Sequence, residues 1–174
     1  MRFLSKYFGV VLLTFLVSYL SAQTDSVIWN GQVLHIPDEK DTSAINEISD
    51  LGSFVIHWYN LGGERFGRCY SYFDKERKHI NCKAIIKDRP DLPHRTNWAF
   101  VGAVTYFYKS GNVRSQQDYR SDLRNGLYTY YFPNGQLKIS GYYRAGKPID
   151  TWETYNSKGK KIREKYIPYF DYKR

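Results

Sequence analysis

Gly111, Gly135 and Gly159 stand 24 residues apart, and two sets of large apolar residues keep the same step. Phe107, Tyr131 and Tyr155 form one set, and Val104, Tyr128 and Trp152 form the other. A period this short is one supersecondary unit, too small to bury a face alone, so copies must stack to make a core. The unit reads strand, turn, strand. Its clearest turn is Phe132-Pro133-Asn134-Gly135-Gln136, because Asn-Gly supplies the positive φ angles that a tight hairpin needs. Lys109-Ser110-Gly111 and Ser157-Lys158-Gly159 repeat that glycine, and Tyr119 and Tyr143 keep the period on the return strand. Gly102 and Gly126 are followed by Asp150, so this glycine is lost from the third copy. There the register is read as slipping by one, with Ile162 standing for Val113 and Leu137.

The expected fold is mainly all-β. Antiparallel β-hairpin repeats form a single extended sheet, with an N-terminal capping region that contains one short helix. Strand side chains alternate between faces. Tyr128, Tyr130 and Phe132 then share one face and Tyr131 projects from the other. Stacked copies make a Val104/Tyr128/Trp152 ladder on one side and a Phe107/Tyr131/Tyr155 ladder on the other. Each cross-strand aromatic pair contributes roughly 0.2–1 kcal/mol beyond an Ala pair. Ring-rich sheets with cationic rims bind glycans by stacking, anionic headgroups by charge, or proteins by strand addition. The candidate face is Tyr106, Tyr108, Tyr128, Tyr130 and Trp152 with Arg120 and Arg144. The competing reading gives the same rings to packing between hairpins.

Residues 130–138 (YYFPNGQLK), Gly141-Tyr142-Tyr143, Gly146-Lys147-Pro148 and Trp152 together resemble the bacterial variant of the MORN repeat, over about residues 102–166. The chain departs from that pattern at Gln117 and Lys165, which stand where Gly141 does, and at Asp150. The resemblance implies a single-layer sheet of successive hairpins. Many bacterial members resemble the YwqK-type antitoxin family, which implies an antitoxin or immunity role. Eukaryotic members imply attachment to membranes and protein scaffolding. The resemblance implies no catalytic residue.

Residues 1–22 read as a secretory signal: Arg2 and Lys6, an apolar run from Tyr7 to Leu20, then small Ser21-Ala22. The run is shorter than the roughly 20 residues that span a bilayer. A retained anchor is the alternative. The mature chain is expected to begin at Gln23 and to be periplasmic or secreted, in a bacterium. Export argues against nucleic acid as a partner. From Gln23 to Glu64, seven acids stand against Lys40, a balance of −6; from Arg65 to Arg174, 23 Lys and Arg stand against 10 acids, a balance of +13. Either the acidic segment lies on the basic repeats, or the basic surface meets an anionic envelope component such as lipid headgroups or polysaccharide.

Residues 23–95 are expected to cap an array at 96–174. Val27 to Leu34 holds another Asn-Gly turn between apolar residues. Ser43 is placed as the cap of a short helix carrying Ile45, Ile48 and Leu51, ended by Gly52. Phe54 to Tyr59 reads as a strand, Gly67 to Ile80 as a degenerate fourth copy, and residues 89–93 as a linker. Folding the segment about Lys75-Glu76 pairs residues whose numbers sum to 151, which sets Cys69 opposite Cys82 for a cross-strand disulfide. Two free thiols are the alternative.

Sites of chemistry are sparse. Gly62-Gly63-Glu64-Arg65-Phe66-Gly67 has phosphate-loop glycine spacing but continues into Arg68-Cys69, so it reads as a turn. His35, His57, His79 and His94 show no metal-ligand spacing. Asp88 and Asp91 flank Pro90 with no second group placed beside them. The expectation is a non-catalytic interaction or scaffold module without cofactor or metal, binding a protein or an anionic envelope component. The alternatives are an antitoxin and an envelope-acting hydrolase.

Overall fold

The computed structural model describes residues 26–29, 31–37, 40–52, 54–90 and 98–168. The signal segment at 1–22 and most of the linker at 89–93 lie outside them. Ten strands form one open antiparallel sheet in which every spatial neighbour is also the neighbour in sequence. They are β3 (Glu47–Asp50), β4 (Phe54–Leu61), β5 (Glu64–Tyr72), β6 (Ile80–Asp88), β7 (Trp98–Phe107), β8 (Val113–Arg120), β9 (Leu123–Tyr131), β10 (Leu137–Arg144), β11 (Lys147–Tyr155) and β12 (Lys161–Ile167). A separate hairpin of β1 (Ser26–Trp29) and β2 (Gln32–His35) lies beside the sheet.

The short helix is a single 3-10 turn, Thr42–Ala44, capped by the Asp41 side chain rather than by Ser43. Ile48 belongs to strand β3 and pairs with His57. Sheet pairing with β4 satisfies these backbone groups, so a weak three-residue apolar period loses to strand formation.

The 24-residue period is carried by the backbone. Gly111, Gly135 and Gly159 donate their N–H to the carbonyls of Tyr108, Phe132 and Asn156, each at 2.9 Å. The N–H groups of Tyr108, Phe132 and Asn156 donate in turn to Asn112, Gln136 and Lys160 at 2.8–2.9 Å. This is a three-residue loop, a type I turn closed by a left-handed glycine. The tighter two-residue turns lie at the opposite ends of the strands. Gly62-Gly63, Ser121-Asp122 and Ala145-Gly146 each have positive φ at both central positions, the signature of type I′ turns.

Beside each three-residue loop the return strand carries one extra residue. Phe107 pairs with Val113 but Tyr106 with Ser115, Tyr131 with Leu137 but Tyr130 with Ile139, and Tyr155 with Lys161 but Thr154 with Arg163. The bulged residues are Arg114, Lys138 and Ile162. Lys161, not Ile162, therefore matches Val113 and Leu137, and the register does not slip in the last copy. The β5–β6 hairpin follows the same plan with a longer loop. Phe73 N–H donates to the His79 carbonyl at 2.9 Å, and Asn81 is bulged between the Ser71–Cys82 and Tyr72–Ile80 pairs.

A second irregularity repeats in the middle of the strands. Val104 to Phe100 spans four residues against two from Ala84 to Ile86. Tyr128 to Arg124 spans Gln117 to Tyr119, and Glu153 to Ile149 spans Ser140 to Tyr142, in the same ratio. Inside these stretches lie Gly102 (φ +79°), Gly126 (φ +123°) and Asp150 (φ +63°). The third copy has lost the glycine and kept its conformation.

The β5–β6 loop corrects the expected cysteine pairing. Cys69 lies opposite Ala84 and Cys82 opposite Ser71, so partner numbers sum to 153 rather than 151. The Asp74 carboxylate causes the offset by accepting from the N–H groups of Lys78 (2.8 Å) and His79 (3.2 Å), which moves the apex toward β6. Both thiols are free. Diagonal neighbours stand roughly 7–8 Å apart with Cβ atoms somewhat closer, which still exceeds the roughly 3.5–4.5 Å between Cβ atoms that a disulfide needs.

The core has two parts, one on each face of β4–β7. Tyr59, Phe66, Ile85 and Val101 pack against Val27, Leu34 and Ile36 of the β1–β2 hairpin and its exit; this side is termed the hairpin face. Ile56, Trp58, Cys69, Ala84, Ile86 and Val104 pack on the other side, termed the ring face, where Trp98, Phe100, Tyr106 and Tyr119 close over them. The ring face continues across β8–β12. There Trp152 lies directly on Gly141, so that a Cβ at that glycine would come within 2.2 Å of the indole.

Two substitutions test this backbone. Gly141→Ala is expected to destabilise by roughly 1–3 kcal/mol, because it forces Trp152 off the strand. Asp150→Gly is expected to hold or raise the melting temperature, whereas Asp150→Val lowers it, because a β-branched residue resists the left-handed conformation. Thermal melts followed by circular dichroism read both.

Candidate functional site

The expected binding residues divide between the two faces. Tyr106, Tyr128 and Trp152 share the ring face, since Tyr106 pairs with Ser115, and Tyr128 with both Gln117 and Gly141, on which Trp152 lies. Tyr130 joins them through its pairs with Ser115 and Ile139. Tyr108 extends the row at the loop, where its hydroxyl donates to the Tyr131 carbonyl at 2.7 Å. Arg120 and Arg144 do not join them. Each directly follows a ring-face tyrosine, Tyr119 or Tyr143, so strand alternation turns it to the hairpin face beside a two-residue turn.

Other cations cover the rings. The Arg114 guanidinium lies 5.4 Å from the Tyr106 ring centroid. Lys138 Nζ lies 5.4 Å from that of Tyr130 and 5.2 Å from that of Phe132. Arg124 lies 5.1 Å from the Tyr143 ring and donates to its hydroxyl at 3.1 Å. Arg114 and Lys138 reach this face because a bulge sets two successive residues opposite one. Their spacing of 24 was visible in the sequence; the bulge that aims them was not.

The rings also pack on one another. Trp152 meets Tyr143 edge-on at 5.1 Å and Tyr128 at 5.9 Å, and Tyr128 meets Tyr143 edge-on at 6.0 Å. Burial pushes the Tyr106 and Tyr128 hydroxyls above the usual phenol range. They remain neutral hydrogen-bonding groups at physiological pH. The same rings thus pack on one another and stay partly exposed on the ring face.

In the array the strand acids are confined to one face, whereas cations stand on both. By register, Arg163 opposite Thr154 and Lys165 opposite Trp152 join Arg114, Arg124 and Lys138 on the ring face. The strand acids of β7–β12 fall on the other side: Asp118 pairs with Ala103, Glu153 with Ser140 and Glu164 with Glu153. Lys161 bridges Glu153 (3.0 Å) and Glu164 there. Asp122 and Asp150 occupy a turn and a bulge, where their carboxylates accept from backbone N–H groups of Phe100 (2.6 Å) and Thr151 (2.8 Å).

Several other groups singled out in the sequence take part in turns, ion pairs and loops, and His94 lies outside the described residues. Gly62-Gly63 forms a two-residue turn. Asp88 accepts from Arg65 at 3.2 Å, and Asp91 lies outside the described residues. His79 Nδ1 lies 2.8 Å from Asp74 within the β5–β6 loop. Among the described residues no group of three or more His, Cys, Asp or Glu is placed to hold a metal ion. Burial pushes Cys69 to about 11 and Cys82 to about 12. The thiolate is the nucleophilic form, so neither side chain is activated near neutral pH.

The hairpin face holds a feature the sequence did not signal. A cavity of about 260 Å³ opens over β5–β7, lined by Lys40, Arg68, Tyr70, Lys83, Thr105 and Phe107 among others. Its residues come from four separate stretches of chain, which is why no local motif marks it.

The raised thiols have a pH signature. Below the ordinary thiol range both folded and unfolded chains are protonated, and stability is complete. Between that range and about 11–12, only the unfolded chain ionises, so stability falls as pH rises. At pH 8 the folded chain is expected to react with a thiol reagent on the order of 100-fold more slowly than the unfolded chain. Unfolding without reductant is expected to release both thiols for titration.

No family model matches the chain, and no curated protein matches it.

Proposed function

We propose that the chain is an exported, non-catalytic interaction module of the MORN-repeat type, and that its ring face binds an anionic component of the cell envelope. The absence of strand acids from the ring side of β7–β12, among the described residues, supports this reading. Arg114, Arg124, Lys138, Arg163 and Lys165 share a face with the aromatic rows, while the strand acids of the array lie behind it. Cations over ring faces leave their charge directed outward, and each such contact contributes about 0.5–1 kcal/mol at an exposed site. A polyanion laid across the strands would meet a positive group on each successive hairpin, with tyrosine rings between them for apolar contact. The lengthwise row suits an extended polymer or a headgroup layer better than a compact protein surface. The signal-like pattern of residues 1–22 supports this reading, because an exported chain would meet such a ligand.

The test is binding of the mature chain to an immobilised acidic polysaccharide and to its neutral counterpart, across a salt series. Affinity for the acidic polymer is expected to fall steeply with salt. It is expected to fall about tenfold or more in the Arg114→Gln/Lys138→Gln double variant, with the melting temperature little changed. Binding that ignores both salt and the double variant contradicts the proposal.

A further inference from the structure

The two outer strands of the sheet carry opposite charge. Among the described residues, no strand pairs with the outer side of β3 or of β12. β3, Glu-Ile-Ser-Asp, holds two acids and no base. β12 holds Lys161, Arg163 and Lys165 against Glu164, and it is exposed over nearly its whole length. The β3 acids have partners within the chain, but these leave acid in excess. Arg65 is shared between Glu47 and Asp88, so two carboxylates divide one guanidinium. The Glu47 side chain stays 58 % exposed beside it.

The strand count decides how these edges can meet. Strand direction alternates across the sheet, and its ten strands are an even number. β3 of a second copy, set beside β12 with its ring face on the same side, therefore continues the antiparallel alternation. Glu47 and Ser49 belong to that face, opposite Trp58 and Ile56 of the ring-face core. Arg163 and Lys165 belong to it at the other edge. Setting Glu47 against Lys165 places Arg163 against Ser49, one diagonal from Glu47. On the hairpin face the same register sets Ile48 diagonal to Tyr166, which are 59 % and 66 % exposed. Pairing like edges reverses the electrostatics. Two β12 strands would bring Arg163 and Lys165 against their own copies, and two β3 strands would add acid to acid. Like charges across a ladder destabilise it.

We propose that β12 of one copy of this chain takes β3 of a second copy as an added antiparallel strand, joining copies head to tail into one continuous sheet. Backbone hydrogen bonds supply the attraction and edge charge selects the partner. The contact is heterologous, so each copy leaves one edge of each kind for the next, and growth is open-ended. A ladder of four residues falls well short of the roughly 1,200–2,000 Å² of a standard interface, so each junction is weak and reversible. Because the ring faces of successive copies stay on one side, assembly lengthens the row of rings and cations. The junction uses only the edges and does not depend on what the ring face binds.

The experiment is sedimentation equilibrium of the purified chain over a concentration series at low and high salt. The weight-average mass is expected to rise with concentration beyond that of a dimer, with a dissociation constant per junction of about 0.1–1 mM. Added salt is expected to weaken the association. Glu47→Lys and Lys165→Glu, each confirmed as folded by circular dichroism, are expected to weaken it about tenfold. Mixing the two variants restores it, because each then offers the other an edge of opposite charge, and so does combining both changes in one chain. Lys138→Gln on the ring face leaves it unchanged. A monomer across the whole series overturns the proposal, as does association that stops at a dimer. So does association that neither charge reversal alters, or a loss that the paired reversals fail to restore.

Discussion

The left-handed bulge at Gly102, Gly126 and Asp150 is the constraint on which the array depends. At each, four residues of one strand span two of its neighbour, so the strand bends and its twist increases before the ladder resumes. The bulge sets the offset between each hairpin and the next. It is why Tyr128 lands beside Gln117 and why Trp152 comes down on Gly141. Gly126 answers a second demand, because a Cβ there would meet the Asp118 carboxylate at 2.9 Å. Asp150 holds the same conformation without glycine. Its short carboxylate accepts from the next N–H in the chain, a local bond that lowers the cost of positive φ.

A sheet built this way draws its stability from nearest neighbours, and its burial is uneven. Two buried clusters lie on β4–β7, one beneath the β1–β2 hairpin and one beneath the rings. Toward β12 burial falls away, and that strand is exposed over nearly its whole length. What holds the far copies is ring on ring, turn on turn and bulge on bulge. Asn112 Nδ2 donates to the Pro133 carbonyl at 2.8 Å, and Asn134 Nδ2 to the Ser157 carbonyl at 3.1 Å, so successive loops are tied by side chains one period apart. The last strand, Lys-Ile-Arg-Glu-Lys-Tyr-Ile, carries charge along its free edge, which discourages indiscriminate strand addition. Opening is expected to begin at β12 and to reach β5–β6 last.

The period and the strand faces were legible because they rest on glycine and on large rings, the residues whose geometry leaves the strongest trace in a sequence. The Val104/Tyr128/Trp152 row falls on one face, as alternation requires. Ser121-Asp122 and Ala145-Gly146 were not legible as type I′ turns, because Ser, Asp and Ala carry little signal for paired positive φ. Asp150 looked like a lost position since a change of residue hid an unchanged backbone. The cysteine pairing failed through side-chain chemistry: the Asp74 carboxylate shaped the loop and moved the register by two. The cations failed through parity. Alternation sends Arg120 and Arg144 to the back of the sheet, while a one-residue bulge brings Arg114 and Lys138 to the front. The cavity at Lys40, Arg68 and Lys83 was invisible because it needs strands and a strap that only the fold brings together.

These features make one sheet with two chemically distinct sides. One carries rows of half-buried rings capped by cations. The other carries a covering hairpin, mixed charge and a small basic cavity. Both sides depend on where the bulges place each strand, so the bulge register is the central claim. Cross-strand nuclear Overhauser contacts of the isotope-labelled chain test it most directly. The account predicts contacts between the backbones of Tyr119 and Arg124 and of Tyr142 and Ile149, alongside those of Gln117 with Tyr128 and Ser140 with Glu153. An uninterrupted ladder, with Tyr119 facing Gly126 and Tyr142 facing Thr151, would contradict it.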